Sequence, residues 1–167
     1  CVAEGAEAGR TEKRRMMIRK ILVATDGSKA AGKAVTYAIG LAKEVDRDTS
    51  ITLLGVVDVS SFIVRGMSTT RTPAKIMIET RELIKQMTSD YLDVAAAECR
   101  KRSVQARKVI RTGHAAEEIV KEAVKEKADL IVLGSHGRSA LRAAVLGSVA
   151  YGVIHRNTNI PVLVIRK

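Results

Sequence analysis

From residue 18 onward, short unbroken apolar runs alternate with longer stretches whose apolar residues recur every three or four positions. Ile21-Leu22-Val23-Ala24 is the first such run, and its shortness fits a strand covered on both faces. It ends at Thr25-Asp26-Gly27-Ser28, where Ser28 is placed to cap a helix with Ala34, Ala38, Leu41, Ala42 and Val45 inward. A second strand is predicted over 51–57. Residues 58–72 are weakly patterned and read as a long loop, a lid or variable segment. Pro73 suits the first turn of a long helix running to about Arg102, with Leu83, Ile84, Met87, Tyr91, Leu92 and Val94 toward the core. A third strand is predicted over 104–110. Gly113-His114 then leads into a helix with Ile119, Val120, Ala123 and Val124 inward. Leu130-Ile131-Val132-Leu133 is a fourth strand, a last helix runs from Ser148 to about Arg156, and a fifth strand covers 162–165. Tyr37 and Tyr91 are expected in or beside the core.

Strands alternating with helices argue for an α/β fold, a single doubly wound domain with a parallel sheet and helices on both faces. Ligands in such sheets bind beyond the carboxyl ends of the strands, where the strand order reverses. Two strand ends carry unusual residues. One is Ala24-Thr25-Asp26-Gly27-Ser28. The other is Gly134-Ser135-His136-Gly137-Arg138, followed after a nine-residue spacer by Gly147-Ser148. A phosphate chain needs several backbone N–H groups directed into one small space, and side chains at those positions would block the approach. Gly134 would let the chain leave its strand beside a ligand, and Gly137 would turn the loop around phosphate oxygens. Gly147 and Ser148 open a helix whose free N–H groups and dipole favour an anion. Ser148 could equally serve as an N-cap, and Asp26 as a turn-forming or capping aspartate. His136 lies between two loop glycines with no carboxylate placed in sequence to orient it, which favours packing or a phosphate neighbour over general-base work. Arg138 could reach a phosphate or point to solvent, whereas Arg65 and Arg71 read as solvated surface.

The 167 residues are 46% apolar, which suffices for one domain with its own core. Apolar runs fall far short of the roughly 20 residues of a membrane span, and the first 20 residues have no apolar centre like that of a signal peptide, so a cytoplasmic location is expected. Residues 1–17 read as a mobile N-terminal arm or extension, with the folded domain over 18–167. Cys1 and Cys99 are too few for a disulfide framework and lack partners for zinc, so both read as inert thiols. A net charge of +11 raises nucleic acid as a partner, but aromatics are only 2% and the basic residues are scattered along the chain. Most of them therefore read as solvated surface, and specific nucleic-acid recognition is not expected. Walker, dinucleotide and nucleophile-elbow spacings are all missing.

The Gly134-Ser135-His136-Gly137 and Gly147-Ser148 pair resembles the nucleotide-binding motif of universal stress proteins. So do the opening strand and turn over 21–28, Gly113-His114-Ala115-Ala116-Glu117-Glu118-Ile119, and the strands around 128–134 and 161–165. The resemblance covers 18–167. It implies a Rossmann-like fold of the adenine nucleotide alpha hydrolase kind, five parallel strands in the order 3-2-1-4-5. It implies ATP, or ADP or AMP, with Mg or Mn, as the ligand. On that likeness Asp26 contacts the ribose, or a metal and phosphate on the same side. Ala24, Thr25 and Val56 line the adenine and ribose region, and Leu133, Gly134, Gly137, Gly147, Ser148 and Val149 hold ribose and phosphates. A homodimer through the edge strand Val162-Ile165 is implied as well. The function implied is a nucleotide-responsive stress regulator, the alternative being a slow ATPase or phosphoryl-transfer enzyme at the same site.

Overall fold

The computed structural model describes residues 18–46, 48–58, 74–137, 146–156 and 159–166, save the side chains of residues 74 and 76. The N-terminal arm, the loop after residue 58, Pro73, Arg65, Arg71 and Arg138 lie outside the described residues.

Five strands form one parallel sheet: β1 Lys20–Ala24, β2 Ser50–Val57, β3 Ala106–Thr112, β4 Leu130–Gly134 and β5 Val162–Ile165, in the spatial order β3-β2-β1-β4-β5. Among the described residues four helices accompany them: α1 Lys29–Val45, α2 Ala74–Lys101, α3 Ala115–Glu126 and α4 Ser148–His155. The expected strand order holds, and only β3 begins two residues later than its apolar residues suggest. Val104 is buried but belongs to the turn after α2, where its N–H donates to Cys99 O at 3.0 Å.

Successive side chains of each strand enter opposite layers. Ile21, Val23, Ile51 and Leu53 pack with α1 and α2 on one face. Leu22, Leu54, Ile131 and Leu133 pack with α3 and α4 on the other. The connections change face after β3, when the chain returns across the sheet to place β4 beside β1. The reversal therefore falls between β1 and β4, with Ala24 beside Leu133 at their carboxyl ends.

α2 turns a different face inward from the one its largest residues mark out. Ile84 and Leu92 are buried as expected, with Thr88, Ala95, Ala96 and Cys99 beside them. Leu83 and Val94 are 62% and 73% exposed, and Met87 is also exposed. The reason is close approach: β2 has Gly55 beneath this helix, and Thr88 occupies the space a side chain there would need. Small residues fit that contact and large ones are left outside. Val45 on α1, Val124 on α3 and Tyr37 are likewise exposed, while Tyr91 is half-buried. Cys99 is fully buried, and desolvation, with Glu98 adding to it, pushes its thiol up to about 11, so the group stays protonated and unreactive.

Candidate functional site

The β1–α1 turn is held by its own side chains. Thr25 is buried; its N–H donates to Leu54 O at 2.9 Å, and its hydroxyl oxygen accepts from the Gly27 N–H at 3.3 Å. Gly27 adopts φ 77°, which glycine reaches without strain. Asp26 Oδ1 accepts from the Ser28 N–H at 3.0 Å, so the aspartate does form the turn. Ser28 is the N-cap of α1, its hydroxyl accepting from the Ala31 N–H at 3.2 Å. That hydroxyl also donates across the crevice to His136 O at 3.4 Å, a link the local sequence did not disclose.

The β4 side meets it. The Ser135 N–H donates to Ile165 O at 2.8 Å and the Gly147 N–H to Ser135 O at 2.8 Å, so the loop following β4 is tied to β5 and to the start of α4. Gly147 is the N-cap of α4 and Ser148 its first helical residue, which settles the alternative for Ser148: it is not the cap. The N–H groups of the first turn of α4 have no acceptor earlier in the helix. His136 is oriented by Ser135, whose buried hydroxyl lies 2.8 Å from Nδ1, rather than by a carboxylate. Its Nε2 is buried and has no hydrogen-bond partner among the described residues.

The motif glycines divide by task. A Cβ on Gly134 would stand 2.8 Å from Ala30 C and Ala31 N, the backbone of α1. The missing side chain there is demanded by helix packing and not by room for a ligand. A Cβ on Gly137 would stand 2.7 Å from Asp26 Oδ2, so the absent side chain admits the carboxylate. Neither glycine has positive φ.

Asp26, His136, Gly137, Gly147 and Ser148 are thus brought to one place, flanked by Ala24, Thr25, Leu133 and Gly134 at the strand ends. Val56 is half-buried on β2, on the far side of β1 from β4, and Val149 is exposed on the first turn of α4. Ser28 and Ser135 are additions to the set. Their signal in the sequence was only a hydroxyl beside each glycine turn.

Among the described residues no group of three His, Cys, Asp or Glu could hold a metal ion, and no helix is long and apolar enough to cross a membrane. A family model described as universal stress protein family matches residues 17–166. The chain is 38% identical over 152 residues to universal stress protein MJ0531 of Methanocaldococcus jannaschii, covering 90% of this chain and 84% of that one. It is 35% identical over 153 residues to universal stress protein YxiE of Bacillus subtilis, covering 90% of this chain and 100% of that one. The solved structure of MJ0577, also of M. jannaschii, superimposes with a TM-score of 0.77 at 29% identity, covering 90% of this chain and 97% of that one.

Proposed function

The chain belongs to the universal stress protein family, and from that premise we propose that it binds an adenine nucleotide, ATP in particular, in the crevice between the β1–α1 turn and the β4–α4 segment, and regulates a stress response through occupancy of that site. The observation that carries this reading is the convergence of Asp26 on Gly137 across the switch point, where a side chain on the loop would fill the space beside the carboxylate. Backbone amides, glycine-lined approach and a helix start are the groups a polyphosphate requires.

In this reading Gly137, Gly147 and Ser148 hold phosphates through their N–H groups, with Arg138 and Val149 alongside. Asp26 contacts the ribose or a Mg or Mn ion that arrives with the nucleotide. Ala24, Thr25 and Val56 border the base, and Leu133 and Gly134 the ribose. Among the described residues the buried Nε2 of His136 has no hydrogen-bond partner, as expected beside a site completed by a ligand. The bound metal would supply charge neutralisation, and the protein would supply position. The protein acts in the cytoplasm as a homodimer paired through β5, whose four aliphatic residues are all half-buried.

Calorimetric titration with Mg-ATP tests the reading. Saturable binding is expected in the wild type and much weaker binding in Gly137→Val. No heat with either protein, and no nucleotide released from freshly purified, denatured protein, would sink it.

A further inference from the structure

The outer face of α2 repeats in sevens. Thr80, Leu83, Met87, Asp90, Val94 and Ala97 follow one another at alternating steps of three and four, so they line one stripe along the helix. The opposite face, with Ile84, Thr88, Leu92 and Cys99, is the one packed on β2 and β3. Thr80 is half-buried and the other five stripe residues are exposed. From Thr80 to Ala97 the stripe runs about 26 Å. A single exposed apolar residue is ordinary, but Leu83, Met87 and Val94 share one line on one helix.

The two ends of the stripe carry complementary charge. Glu79 stands just before it and Lys101 just after it; both are exposed, and neither forms an ion pair with a described residue. Other charges on the helix are engaged. Glu82 lies 4.0 Å from Lys85, Glu98 pairs with Arg102 at 2.8 Å, and Asp93 pairs with Lys108 and feels the charge of Arg100. Within the stripe, Asp90 Oδ1 accepts from Gln86 Nε2 at 2.8 Å. A helix with a free acid near one end and a free base at the other is complementary to its own reverse. Turned antiparallel about a two-fold axis, the stripe sets Leu83 against Val94, Met87 against Asp90 and Thr80 against Ala97, because the members of each pair lie equally far from the middle. Glu79 then faces Lys101 on both sides of the axis. Parallel pairing would set Glu79 against Glu79 and Lys101 against Lys101, which repel.

We propose that this outer face of α2 is a docking surface for a second copy of the chain, the two helices packing antiparallel with Leu83 of each against Val94 of the other. Self-complementary charge selects the occupant. Asp90 restricts the register, as a polar residue in an apolar seam does, and costs stability. The seam is also short, so the pairing is reversible and set by concentration. α2 packs on β2 and β3, and β5 is the opposite edge of the sheet. The surface is therefore separate from β5, and copies that also pair through β5 would join into larger assemblies. The proposal does not depend on nucleotide binding in the crevice.

Sedimentation equilibrium over about two decades of protein concentration tests it. The expected result is a mass that doubles from its low-concentration value as concentration rises. Leu83→Glu should weaken that step at least roughly tenfold, since a carboxylate would be buried against Val94. Should charge at this position lower Tm, Leu83→Gln carries the same comparison. Glu79→Lys should weaken the step about fivefold, and adding Lys101→Glu to it should restore the step. Direction is read by oxidative cross-linking in a Cys1→Ser background. Protein with Leu83→Cys mixed with protein with Val94→Cys should cross-link, and neither should cross-link alone. A mass that does not change with concentration, an association that Leu83→Glu leaves intact, no rescue by the charge swap, or cross-linking of the Leu83→Cys protein to itself would each overturn the proposal.

Discussion

The switch-point crevice and the β3 edge solve opposite problems with opposite materials. At the crevice, contacts are made by backbone and by missing side chains: Gly134 lies against the α1 backbone, Gly137 faces Asp26, and Ser28 bonds a carbonyl across the gap. Along β3 they are made by ionised side chains. Arg107 pairs with Glu126 and Arg111 with Glu122 on α3, while Lys108 pairs with Asp93 on α2. An edge strand flanked by charges on both faces resists pairing with another chain. At the crevice, Gly134 and Gly137 leave the approach to backbone and to the Asp26 carboxylate. Much of the basic composition is therefore placed away from the proposed nucleotide site, and the charge total alone could not locate it.

The comparison breaks first at the glycines. Gly137→Val should reduce Mg-ATP affinity by roughly a hundredfold, about 2.7 kcal/mol, with little loss of Tm, because the added group meets only the end of the Asp26 side chain. Gly134→Val should do the reverse. Its side chain meets the fixed backbone of α1, and urea unfolding should show a loss of about 2–3 kcal/mol. If both variants behave alike, the division of labour between the two glycines is wrong.

The β3 edge gives smaller effects. Glu122 is 3% exposed and accepts from Arg111 Nε at 2.7 Å. Glu122→Ala should cost about 1–2 kcal/mol in the same unfolding assay, a lowered figure because Arg111 can reach water. Nucleotide affinity should not change.

The smallest effect is pH-dependent. The hydrogen bond from Lys108 holds the Asp93 carboxyl below its ordinary value of 3.8. A carboxyl lowered in the folded state contributes stability above that value and loses it as pH falls below it, through the lower folded value. The Tm gap between wild type and Lys108→Ala should therefore be small at pH 7, shrink further in 0.5 M salt, and close in strong acid. A gap that widens in acid would contradict the pairing.

How much of this was legible beforehand varies by element. β1 and β4 were evident because strands buried on both faces must be largely apolar, and β5 because its four residues are all aliphatic although only half-buried. The inner face of α2 was not. Ile84 and Leu92 were found, but Leu83, Met87 and Val94 were assigned inward on size, whereas the contact at Gly55 selects Thr88 and the alanines. At the site, Asp26 and the three motif glycines could be named from spacing. The hydroxyl bridges of Ser28 and Ser135 could not, since their partners lie 108 residues away in one case and depend on a ring orientation in the other.

By itself, the sequence determined what local chemistry dictates: the order of strands and helices, the turn at Asp26-Gly27-Ser28, the family and the residues of the glycine motif. Those features depend on neighbours within a few positions, or on a pattern that does not change with folding. Tertiary structure alone decided which glycine makes room for a helix and which for a carboxylate. It also decided which cations pair with carboxylates on other elements, as Arg107 does with Glu126 and Arg111 with Glu122. Such outcomes depend on distances between segments far apart in the chain, and only the packing of two helical layers on one sheet sets those distances.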